Sequence, residues 1–276
     1  MAAIHADLRL WTGSEPVAPA PADPHEVADN LFVREAFRAP PRDFAAEPYT
    51  LSWFEQVERQ RYARQGYWLP KVLEFKRHAG EVLLGLGDGL GTDWLQYARQ
   101  GTQVIACSPA AEQLSLVRRN FDLRNQAGRF LHAPAHALPL DASSIDVVCV
   151  HGRVADAAAI DEVYRVLRPG GKVIVVTPAR YDAAFWYDAF FPWRRLYADR
   201  RAVEPSGAAT GRRLRREFSR FVEHRVYKRH LRRANLPPLW RFYPLPLMER
   251  LVGQLLILKA FKPLSAALTA SVALAA

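Results

Sequence analysis

The segment Glu81–Gly101, EVLLGLGDGLGTDWLQYARQG, constrains the fold more than any other part of the chain. A hydrophobic run from Val82 ends in Gly87-Asp88-Gly89-Leu90-Gly91, and Trp94-Leu-Gln-Tyr-Ala follows with helical spacing. The order is strand, glycine-rich turn, helix. Glycine allows the tight turn and removes side chains that would block a ligand's approach to the backbone. The helix N-terminus then presents N–H groups without intrahelical partners. Further Val/Ile runs follow at Gln103–Cys107, Ile145–Val150 and Lys172–Thr177. They alternate with helical patterns, which predicts a parallel sheet covered on both faces. Dinucleotide sites favour G-x-G-x-x-G, whereas these glycines fall as G-x-G-x-G, so the spacing favours a different ligand.

Four segments together resemble the class I S-adenosylmethionine-dependent methyltransferase superfamily, in particular its type 11 branch. Leu86–Asp93 looks like that branch's first motif, and Leu138-Pro-Leu-Asp-Ala-Ser-Ser-Ile-Asp146-Val-Val is similar to a second. Glu162-Val-Tyr-Arg-Val-Leu-Arg-Pro-Gly-Gly171 follows the family's most specific helix and turn, and Leu256–Pro263 looks like its closing strand. The resemblance covers roughly residues 50 to 263. It implies a doubly wound α/β domain with a mostly parallel seven-stranded sheet and an N-terminal helical cap. It also implies S-adenosylmethionine as cofactor and a small or lipid-like methyl acceptor. Gly87, Asp88, Gly89 and Gly91 would pass under the methionine part, Ser108 would face the ribose and Ala135 the adenine edge. His151, at the end of the third of these strands, is the candidate general base.

The departures from the family pattern point the other way. An acid usually precedes the first motif glycine by two residues, where this chain has Gly85. The ribose-binding acid is replaced by Ser108, and the adenine-binding acid by Pro134. The loop after Val150 is short and lacks the paired histidines of many relatives. Charge-assisted hydrogen bonds contribute roughly 1.5–3 kcal/mol each, so these losses weaken cofactor binding by about two to four decades. The alternative function is therefore a catalytically inactive methyltransferase-fold protein that binds or assembles. A fold can outlast its site, because core and site are separate demands.

The remaining sequence bounds the setting. Residues 1–48 form a proline- and alanine-rich lead-in, and residues 49–80 a helical cap that is either a lid or a helix packed on the sheet. The α/β domain spans 81–263 with a basic, aromatic insertion at about 190–250, and 264–276 is a tail. With 276 residues and half of them hydrophobic, the chain can bury one core. The two cysteines, Cys107 and Cys149, sit at strand ends and fit reduced thiols in the cytoplasm. Neither an N-terminal signal nor a spanning segment is expected. No metal site is expected: His132 and His136 are spaced four apart, but two ligands in a proline-containing loop are too few.

The net charge of +10 is concentrated in one segment that includes Arg194, Arg195, Arg200, Arg201, Arg212, Arg213, Arg215, Arg216, Arg220, Arg232 and Arg233. It reads as a solvated face or as a surface for an anionic membrane or an acidic protein, with nucleic acid a weaker partner. The apolar, aromatic stretch Leu236–Leu247 beside it suggests peripheral membrane attachment. Within the segment the pattern predicts helix over Leu214–Phe221 and strand over Val222–His230.

Overall fold

The computed structural model describes residues 46–264, apart from 64–67, 88, 153–155, 191–207, 232–235 and 237. Residues 1–45 of the lead-in, residues 265–276 of the tail, Asp88, the loop after Gly152 and Arg194, Arg195, Arg200, Arg201, Arg232 and Arg233 lie outside the described residues.

Two cap helices precede the sheet: α1 (Leu51–Arg61) and the short α2 (Leu69–Leu73), followed by a 3₁₀ turn at Phe75–Arg77. Thr50 caps α1 by accepting a hydrogen bond from the N–H of Trp53. Seven strands then form one sheet: β1 (Val82–Gly87), β2 (Gln103–Ser108), β3 (Arg129–His132), β4 (Ile145–His151), β5 (Leu167–Pro178), β6 (Val222–Arg229) and β7 (Leu255–Phe261). Their spatial order is β3-β2-β1-β4-β5-β7-β6, with β7 antiparallel to both neighbours and the other pairs parallel. The connecting helices are α3 (Thr92–Arg99), α4 (Ala111–Asp122), α5 (Ala157–Val166), α6 (Ala183–Phe190), α7 (Gly211–Glu217) and α8 (Leu245–Val252).

The central strands read as unbroken Val/Ile/Leu runs because both of their faces are covered. One core collects Val148, Val150, Val173 and Val175 with Ile160, Val163, Phe218 and Phe221. The other joins Leu83, Val147, Ile174 and Ile257 to Trp94, Val117, Phe121 and Leu73. The sheet expected from the sequence is therefore present, and the strand order reverses between β1 and β4. In open α/β sheets ligands bind in the crevice outside the carboxyl ends of the strands at such a switch point, here the ends of β1 and β4.

Local differences from the sequence reading have physical causes. The Arg168–Gly171 turn is a bulge inside β5: Ile145 pairs with Leu167 but Val147 already pairs with Lys172. Lys262 holds the bulge, its carbonyl accepting from the N–H of Gly170 and its N–H donating to Gly171. The arginine-rich helix starts earlier than its apolar spacing suggests, because Thr210 caps it, and ends before Phe218. Phe218 and Phe221 instead follow the helix end and fill the core. The edge strand β3 carried too weak a pattern to be read from Phe130 and Leu131 alone.

Candidate functional site

Gly87 and His151 are register partners at the ends of β1 and β4, so the glycine-rich turn leaves the sheet at its switch point. Gly87, Gly89 and Gly91 have φ of 102°, 144° and 68°, the left-handed region that glycine tolerates. A Cβ on Gly87 would fall 1.8 Å from the carbonyl oxygen of His151. Gly91 is the N-cap of α3, and Asp93 in the first turn complements the positive end of that helix.

Side chains of α4 hold the turn from beneath. Gln113 donates its amide to the carbonyls of Gly87 at 3.0 Å and Gly89 at 3.1 Å. Asn120 donates to the carbonyl of Leu90 at 2.7 Å. Ser108, buried at the end of β2, sits 3.0 Å from the Gln113 side-chain oxygen and accepts from the N–H of Ala110. Ser108 and the turn are thus linked through one glutamine. Ala135 lies half-buried beyond β3, and Pro134 is exposed. The carbonyl of Ser108 accepts from the N–H of Ala133, which brings that loop to the β2 end.

The carboxylates in this region are used elsewhere. Asp93 is fully enclosed, and Arg61 of α1 donates to it through Nε at 2.6 Å and again through Nη2. Tyr62 donates its hydroxyl to the same carboxylate at 2.6 Å, and His151 Nε2 lies 3.3 Å from it. Burial alone would raise the Asp93 pKa, but the Arg61 charge and hydrogen bonds, with His151 and Tyr62, bring it below the ordinary carboxylate value. The Arg61 pKa rises despite burial, because Asp93 favours its charged form. Burial lowers the His151 pKa to about 4 against the opposing pull of Asp93. The imidazole is therefore neutral near pH 7. It also touches Cys149 Sγ at 3.4 Å, with the Trp94 ring centroid 5.6 Å away.

Trp94 covers the side of β1 on which a side chain at position 85 would lie: a Cβ on Gly85 would meet its ring at 2.5 Å. The cap closes over the turn, since Trp53, Phe54 and Val57 of α1 pack with Leu90 and Leu116. Sequence reading missed Arg61, Tyr62 and Gln113. A fully buried ion pair between residues 32 apart leaves no local pattern, and a glutamine on a helix reads as surface.

The structure brings Gly87, Gly89, Gly91, Ser108 and His151 together at the switch point. Among the described residues no group of three or more His, Cys, Asp or Glu side chains could hold a metal ion. No described helix is long and apolar enough to cross a membrane.

Residues 82–175 match the family described as "Methyltransferase domain". A demethylmenaquinone methyltransferase of Clavibacter sepedonicus is 34% identical over 101 residues, which is 35% of this chain and 41% of that one. The chain spans less than half the length of the curated relatives it matches. Among solved structures, a SAM-dependent methyltransferase from Aquifex aeolicus superposes with a TM-score of 0.52 at 12% identity, over 76% of this chain and 97% of that one. The geranyl diphosphate C-methyltransferase of Streptomyces coelicolor gives 0.51 at 14% identity, over 88% and 100%. At such identities the structural likeness concerns the fold.

Proposed function

We propose, from the premise that the chain belongs to the class I S-adenosylmethionine-dependent methyltransferase superfamily, that it moves a methyl group from S-adenosylmethionine to a small or lipid-like acceptor. The observation that carries this reading is the left-handed glycine turn, Gly87 to Gly91, at the β1/β4 switch point. When bound, the cofactor supplies an electrophilic methyl group on a sulfonium. The protein's part is then to align acceptor and methyl group and to exclude water.

The residues fit such a ligand with neutral contacts in place of charged ones. Gly87, Gly89 and Gly91 would lie against its methionine end. The Ser108 hydroxyl and the Gln113 amide would hold the ribose, exchanging the bond they now make to each other. Ala135 would border the adenine. Hydrogen bonds from neutral groups contribute about 0.5–1.5 kcal/mol each, against 1.5–3 for charged ones, so the expected affinity is weak, about millimolar. With a pKa of about 4, His151 is a weak base near neutral pH. Its role in this reading is to fix the crevice wall beside Asp93, and an acceptor that needs no strong base fits best.

A second reading has its own support: a methyltransferase-fold protein that binds or assembles without catalysis. The Ser108–Gln113 link, the Trp94 ring over Gly85 and the Arg61–Asp93 pair give the crevice's polar groups partners within the chain. Isothermal titration of the full chain with S-adenosylmethionine separates the two. Heat that saturates at or below the millimolar range favours transfer. No heat at several millimolar rejects it and leaves the binding role.

A further inference from the structure

The α6–α8 region carries an apolar surface that the methyl-transfer reading does not use. The inner sides of its elements form a small core of Ala183, Leu231, Leu236, Met248 and Val252, with Trp186, Trp240 and Leu245 packed against it. The outer sides are also apolar. Phe242 is 88% exposed, Leu251 58%, Tyr243 55% and Leu247 50%, and Tyr181 and Phe185 join them. On α8 the pair Met248/Val252 faces inward while Leu247/Leu251, also four apart, faces outward. An ordinary surface helix has a polar outer face.

These residues form one patch. Lys228 donates its ammonium to the carbonyls of Tyr181 and Leu251, each at 2.5 Å, which ties the approach to α6 to the end of α8. The Tyr181 and Phe185 rings contact each other at 4.9 Å. Exposed Arg180, Arg241 and Arg250 flank the patch. Asp182 and Glu249 turn inward: Asp182 caps α6 at the N–H of Phe185, and Glu249 accepts from Arg229 and from the N–H of His230. Aromatic and leucine side chains ringed by arginines complement an anionic bilayer, with apolar groups entering the headgroup layer and guanidinium groups meeting the phosphates.

The patch sits at a telling end of the sheet. β5 ends at Pro178 opposite Leu255, the first residue of β7, and Arg229 at the end of β6 pairs with Leu255 as well. α6 follows that end of β5, and α8 immediately precedes β7. This is the end at which β4, the neighbour of β5, delivers His151.

We infer that the outer face of α6, the 3₁₀ turn Pro238–Phe242 and α8 docks the protein on an anionic lipid bilayer, with the switch-point crevice opening beside it. The arginine-rich helix α7 is not assigned to this docking face. It lies over one face of the sheet, where Leu214 joins the core and Arg213 pairs with Glu217. Docking is independent of catalysis. Only the corollary, that an acceptor dissolved in the bilayer reaches the crevice without crossing water, rests on the methyl-transfer reading.

The test is co-sedimentation of the full chain, without cofactor, with vesicles of phosphatidylcholine alone or mixed with phosphatidylglycerol. Binding is expected to the mixed vesicles and to weaken as salt rises. Phe242→Ser/Leu247→Ser/Leu251→Ser should lower it at least tenfold. Arg241→Gln/Arg250→Gln should lower it about fivefold per residue. Arg212→Gln/Arg215→Gln/Arg216→Gln should change it less than threefold. Circular dichroism shows that each variant is folded; should the triple serine variant fail, the two-arginine variant against the α7 variant makes the same comparison. Unchanged binding in the first two variants overturns the inference. So does a triple serine variant that converts a dimer to a monomer, which would assign the patch to a second copy, or tighter binding to RNA than to mixed vesicles at equal salt.

Discussion

Arg61 donates two hydrogen bonds to the carboxylate of Asp93 inside the molecule, joining the last residue of α1 to the first turn of α3. Both side chains are almost wholly excluded from solvent, at 2% and 0%. The pair fixes the cap over the glycine turn. It makes the cap a packed wall, where the sequence left a movable lid open as an alternative.

Asp93→Asn should therefore be costly, because it leaves the Arg61 guanidinium buried without a counter-charge. The expected loss is about 3–5 kcal/mol in urea unfolding. Arg61→Met combined with Asp93→Asn removes both charges and should be more stable than Asp93→Asn alone. A loss under about 1 kcal/mol for the single variant would show that the pair does not hold the cap.

His151 gives stability a defined acid dependence. Its folded pKa of about 4 lies below the ordinary value of 6.5, so the unfolded chain takes up a proton first as pH falls. Stability should rise with pH across the window from about 4 to 6.5, by about 3 kcal/mol in total from this residue. His151→Gln should flatten that window in denaturation curves taken at intervals of pH. An unchanged slope would place the titration elsewhere.

Trp94 should prevent a simple repair of the missing acid. Gly85→Glu puts a Cβ into the indole and should destabilise the fold by about 1–3 kcal/mol or more. Gly85→Glu combined with Trp94→Leu should recover part of that loss, measured as the shift in thermal midpoint. If Gly85→Glu is tolerated alone, the indole does not occupy the acid's place.

Gln113 tests how the crevice is used. Gln113→Ala removes two donors to the turn carbonyls and should cost about 1–2 kcal/mol of stability. If the amide also holds the ribose, S-adenosylmethionine affinity should fall about three- to tenfold in the same titration. Tighter binding would identify the glutamine as a plug and favour the binding role.

The sheet was legible because burial on both faces writes itself into the chain as runs of apolar residues, as at Leu83–Leu86 and Val173–Val176. The four family-like segments supplied the strand number and the mostly parallel sheet that periodicity cannot. The site was legible only in part. Spacing located Gly87 and the family resemblance pointed to Ser108 and His151, but neither carried a sign that Ser108 is tied to Gln113 or that Asp93 is neutralised by Arg61. Both links are contacts between different elements, fixed by packing and absent from any local window. The bulge at Arg168–Gly171 escaped for a related reason: the register shift opposite Ile145–Val147 is a relation between two strands, not a property of the glycines alone.

The carbonyl of His151 stands where any side chain on Gly87 would have to go. Replacing this glycine therefore breaks the join between two central strands before it affects any ligand. A foldable sheet alone therefore requires this glycine, whether or not a ligand binds. The glycine at this join answers to the sheet as well as to any ligand, whereas Ser108 and Gln113 answer to the turn they brace.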